Sequence, residues 1–202
     1  MSKKQKTDAK KIMLPHSMAK LDYYQSYLQV YLPILRLAKF TQCINIFDVF
    51  SGTGIYEDGT KGSPVRAFEA IKESTKNHSD KKLTPVNLII NDIEQEKVES
   101  IRMYLDKKNS EVKICDIFYN NFDVNDFLID IEKLISKQTT KQRNLILIDP
   151  YGYKVIKKKN IKKLLTIKRN TEIILFLPIS QIYRFMDIAL SEDDTNVKTL
   201  KK

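Results

Sequence analysis

Ile44-Asn-Ile-Phe-Asp48-Val-Phe50-Ser-Gly52-Thr-Gly54 is an apolar, β-rich run that ends in two glycines separated by one residue. A strand that delivers its end into such a loop brings backbone N–H groups close to a ligand without a Cβ clash. Two closely spaced glycines also occur in purely structural turns, so the meaning of the loop depends on its surroundings.

Outward from this run the chain alternates between β-rich and helical segments. Strands are expected at 44–50, 86–91, 112–115, 144–148 and 171–177, with helices at 64–76, 94–108, 124–137 and 160–167 between them. Asn144-Leu-Ile-Leu-Ile148 and Glu172-Ile-Ile-Leu-Phe-Leu177 are almost continuously apolar, as strands are when helices cover both sheet faces. The expected fold class is therefore α/β, with a mostly parallel, doubly wound sheet. Before the first strand, Met18, Leu21, Tyr24, Leu28, Tyr31, Leu32, Leu35 and Ala38 recur at helical spacing from Ser17, and Pro33 should kink or divide that helix.

The 202 residues suit one domain. It is expected over 17–190, after a flexible basic start at 1–16 and before a charged tail at 191–202. The tail ends one helix after the fifth strand and reads as a truncation point, with C-terminal strands missing. With 42% hydrophobic and 30% charged residues the chain is too apolar for a disordered protein. A net charge of +10 favours a polyanionic partner, nucleic acid first, although solvated lysine faces give the same balance. Cys43 and Cys115 stand alone, and His16 and His78 have no partner pattern, so no metal site is expected. Isolated thiols, no signal peptide and no apolar run near the roughly 20 residues of a membrane span point to a cytoplasmic setting without membrane contact.

Glu57 occupies the place of a third glycine, where a carboxylate would repel a pyrophosphate, and no Gly-Lys-Ser or Gly-Lys-Thr follows. S-adenosylmethionine carries no phosphate and fits better, with Phe50, Gly52 and Gly54 forming the loop and Asp48 meeting the ammonium group. Asp92, after the second strand, can accept from the ribose hydroxyls or cap the following helix. Asp116, placed after the third strand, can hold the adenine amine or serve as a cap.

The fourth strand delivers Asp149-Pro150-Tyr151-Gly152 to the edge where open α/β sheets bind ligands. A carboxylate that accepts an amine N–H, beside a carbonyl held by proline, can localise the lone pair of a nucleobase amine; an aromatic ring can stack the base. Asp149, Pro150 and Tyr151 are therefore the catalytic candidates, against the alternative of a plain turn. The loop is similar to the Asp-Pro-Pro-Tyr loop of amino-methylating DNA methyltransferases but has one proline, which moves the ring one place nearer Asp149. Lys157, Lys158 and Lys162 on the following basic helix are candidate phosphate contacts, or a solvated face.

Together these pieces resemble the three-Cys-motif partner family, regarded as S-adenosylmethionine-dependent methyltransferases. The likeness rests on His16, Lys20-Leu21 and Tyr27-Leu28, on Asp48 to Gly59 with its Tyr56-Glu57-Asp58-Gly59 insertion, on Gly62-Ser63-Pro64-Val65, on Asp149 to Gly152, and on Thr171-Glu172 and Arg184. It implies a Rossmann-like class I methyltransferase fold preceded by an N-terminal helix, in a family whose longer members carry a winged-helix region. Tyr56, Glu57 and Asp58 would form a lid over cofactor or substrate, and the family name implies a protein partner. The alternative is a methyltransferase-like module that binds nucleic acid or protein without catalysis.

Overall fold

The computed structural model describes residues 13–76, 78, 82–152, 155–167 and 170–177. They form a five-stranded sheet in the order β3-β2-β1-β4-β5, with β1 Cys43–Asp48, β2 Val86–Asn91, β3 Asp116–Asn120, β4 Gln142–Ile148 and β5 Thr171–Leu175. Every pair is parallel, and β1 is paired on both sides. The helices are α1 Pro15–Arg36, α2 Ser63–Lys76, α3 Gln95–Glu111, α4 Val124–Ser136 and α5 Lys158–Thr166.

Alternation along each strand divides the core in two. Ile44, Ile46, Leu88, Ile90, Leu145 and Leu147 face α1, α2 and α3, whereas Phe47, Val49, Ile146 and Ile148 face α4 and α5. Both faces of the central strands are thus covered, which is why their sequences are continuously apolar. Helix α1 packs on this first face beside α2 with Tyr24, Leu28 and Leu32 fully buried. Arg66 of α2 ties it there through Asp22 at 2.5 Å and Gln25 at 3.1 Å.

Two local expectations are corrected. Pro33 does not divide α1: it lies in the last turn, and the N–H it lacks would have served Gln29, on the exposed side of the helix. The third strand lies at Asp116–Asn120 rather than 112–115. Helix α3 continues to Glu111, and the Asn109 side chain then holds the descending chain by accepting from the Ile114 amide at 2.8 Å and donating to the Cys115 carbonyl at 2.9 Å. Those backbone groups are spent on a turn, and strand pairing begins only with Asn87 opposite Asp116.

The expected C-terminal tail and Arg184 lie outside the described residues. Among the described residues no helix is long and apolar enough to cross a membrane.

Candidate functional site

In this strand order the connections from β1 and β4 leave toward opposite faces, which opens a crevice at their carboxyl ends. A cavity of about 530 Å³ lies there, within the roughly 300–1,000 Å³ typical of small-molecule sites. Phe50, Ser51 and Gly52 form one wall, Asp149, Pro150 and Tyr151 another, and the start of α1 a third.

The glycine loop owes its shape to two hydrogen bonds and two glycines. The Ser51 amide donates to the Asn91 carbonyl at 3.0 Å, and the Gly52 amide donates to Asp92 Oδ2 at 2.9 Å. Gly52 and Gly54 both have positive φ, +61° and +71°, a conformation costly for other residues. From Gly54 the chain makes a short excursion: Ile55 bridges Lys61, and the Gly62 amide returns to the Gly54 carbonyl at 2.5 Å. Helix α2 then starts at Ser63, as if the excursion were absent.

The excursion changes the reading of Glu57. It is exposed on the loop, and Gly62 holds the close-approach position beside Gly54. What disfavours a phosphate ligand is instead that the Ser51, Gly52 and Gly62 amides all donate to protein oxygens, and Pro64 brings no N–H to the first turn of α2. Of the expected lid residues, Tyr56 lines the cavity, whereas Glu57 and Asp58 do not.

Three carboxylates converge on the loop. Asp48 is 1% exposed, and the Ser63 hydroxyl and the Phe50 amide lie beside its carboxylate without reaching full hydrogen-bond geometry. Burial pushes its pKa up to about 7, opposed by the nearby Ser63 hydroxyl and assisted by the charges of Asp149 and Asp92. Asp92 is buried and accepts from the Gly52 and Glu94 amides, both at 2.9 Å. Its side chain therefore shapes the loop and the turn into α3, while the cap position of α3 itself falls to Glu94. Asp149 lines the cavity and forms a 2.6 Å ion pair with Lys20 of α1. Ser51 Oγ and the Tyr24 hydroxyl are buried without partners.

Tyr151 is 71% exposed, yet its ring holds the Lys97 ammonium at 5.7 Å and its hydroxyl lies near Gly52. The missing proline thus leaves the ring on the cavity wall. Gly54 does not line the cavity but packs against α3. Asp116 is the larger correction: as the first residue of β3 it lies at the amino end of the parallel sheet, opposite the edge that carries Asp92 and Asp149, and it pairs with Lys113 at 2.9 Å. Lys157, Lys158 and Lys162 are exposed, and none reaches the cavity lining.

Two contributors are not among the site residues expected from the sequence. Lys20 reaches Asp149 across 129 residues of sequence. Asn91 joins the loops after β1 and β3, donating to the Val49 and Phe122 carbonyls and accepting from the Phe122 amide at 3.0 Å. Its only sequence signal is a polar residue ending an apolar strand.

No protein-family model, curated protein or solved structure matches the chain. Among the described residues, no group of three or more His, Cys, Asp or Glu side chains is placed to hold a metal ion.

Proposed function

We propose that this chain is an S-adenosylmethionine-dependent methyltransferase acting on nucleic acid, with a base amine as the acceptor. The observation that carries this reading is the convergence of Asp48, Asp92 and Asp149 on a glycine loop whose Ser51 and Gly52 amides already serve protein acceptors. An anionic cofactor would meet carboxylates, whereas a cationic one gains charge complementarity at short range. The buried Asp48 carboxylate, with only the Ser63 hydroxyl and the Phe50 amide beside it, and the buried Ser51 hydroxyl, which has no partner, are suited to an ammonium group and its hydrogen bonds. When bound, the cofactor supplies a methyl group activated by a positively charged sulfur.

In this reading Asp149 accepts the N–H of the substrate amine and draws its lone pair out of the ring, while Tyr151 stacks an extruded base. The net charge of +10 attracts the polyanion. Calorimetry with S-adenosylmethionine is the first test, with Gly52→Asp as the blocked control, since a Cβ there would lie 3.3 Å from the Tyr151 hydroxyl. Binding by wild type and loss in the variant are expected; no binding by wild type overturns the proposal. Methyl transfer to DNA and RNA is the second test, and Asp149→Ala should abolish turnover while cofactor binding persists.

The Lys20–Asp149 ion pair favours one competing reading, in which Asp149 is a structural latch in a non-catalytic module that binds nucleic acid or a protein partner. Salt-dependent DNA binding without cofactor affinity would decide for it.

A further inference from the structure

We infer that Lys20 is the positioning residue of the site, fixing the Asp149 carboxylate for the substrate amine; the inference rests on the methyltransferase reading. Lys20 Nζ lies 2.6 Å from Asp149 Oδ1, and both side chains are 28% exposed, so the pair is only partly screened by water. The same ammonium stands 5.5 Å from the centre of the Phe176 ring, just beyond the end of β5. Lys20 is therefore held from two sides and joins the loop after β4 to the end of β5 from a third element, α1.

The electrostatic setting gives this contact its importance. Asp149 shares its neighbourhood with Asp48 and Asp92, and the charges of Asp149 and Asp92 both act on Asp48. Carboxylates held close together repel one another, and a side chain that turns away is lost as an oriented acceptor. An ammonium on Oδ1 holds the carboxylate in place against that repulsion, and it leaves the second oxygen to accept from the substrate. A plain structural tie would need no access to the cavity, yet Lys20 and Asp149 both line it, together with His16 and Ser17 one turn earlier on α1. The first turns of α1, which lie outside the βα repeat, thus belong to the reaction centre.

The test compares Lys20→Met, which keeps the apolar stem, with Lys20→Arg, which keeps the charge. In methyl transfer, Lys20→Met should lose at least about tenfold in kcat with little change in KM for the cofactor, and Lys20→Arg should recover most of the loss. Without cofactor, the melting shifts of Lys20→Met and Asp149→Asn should fail to add in the double variant. A Lys20→Met enzyme with wild-type kcat, or melting shifts that add, overturns the inference. Absence of turnover in the wild type is a different failure: it removes the methyltransferase reading, and this inference with it.

Discussion

Gly54 packs directly against Ile101: a Cβ at Gly54 would lie 2.5 Å from Ile101 Cγ1, far inside contact distance. The glycine loop is therefore seated on α3 as well as facing the cavity, and the second glycine is a packing requirement.

Gly54→Ala should destabilise the fold by roughly 2–5 kcal/mol, combining a positive-φ penalty with overpacking against Ile101. Gly59 also has positive φ, +80°, but a Cβ there meets nothing within 4 Å. Gly59→Ala should therefore cost only about 1 kcal/mol. Urea denaturation of the two variants separates steric from conformational cost; equal losses would show that Ile101 yields.

Arg36 closes the far end of α1 against α2. It is 5% exposed, donating to the Ile71 carbonyl at 3.2 Å, the Ser74 and Thr75 hydroxyls at 2.7 Å and the Thr84 carbonyl at 3.1 Å. Arg36→Met should cost roughly 2–3 kcal/mol or more in chemical denaturation. Arg36→Lys should recover little, because one ammonium cannot reproduce the fork that serves both Ile71 and Thr84.

Asp48 predicts a pH signature. Its pKa rises from the ordinary 3.8 to about 7 on folding, chiefly through burial. The folded chain then holds this proton where the unfolded chain has released it, so the group's contribution to stability falls as pH rises from 3.8 through about 7 and levels off above. Thermal melting of Asp48→Asn should gain on wild type between about pH 5 and about pH 8. A constant difference across that range would mean that Asp48 titrates normally.

The exposed lysines after the β4 loop should act separately from the cavity. Replacing Lys157, Lys158 and Lys162 by Ala should leave calorimetric cofactor binding unchanged, since none of them lines the cavity. It should lower the slope of log K against log salt for DNA binding by up to about 3. An unchanged slope would assign these lysines to a solvated face.

The sequence by itself determined the layered α/β architecture, the positions of four of the five strands, and the two loops that meet at the crevice. Its signals there are short-range: an apolar run such as Asn144 to Ile148 is continuous because both faces are covered, and glycines after an apolar strand mark an abrupt change of direction. The third strand was not legible, because 112–115 has a β-rich composition but is claimed by a turn on Asn109, while Asp116–Asn120 is a short edge strand whose apolar residues, Ile117 to Tyr119, are closed in by polar ones.

Tertiary structure alone decided which carboxylates share the site. Asp116 and Asp92 look alike in sequence, each beside a strand, yet the shift of β3 sends one to the amino end of the sheet and leaves the other beneath Gly52. Lys20 meets Asp149 only because α1 packs over the sheet and brings together groups separated by 129 residues. Local composition encodes strands and turns through backbone preference and burial. Pairings across the sheet depend on register and helix docking, which no single stretch of the chain contains.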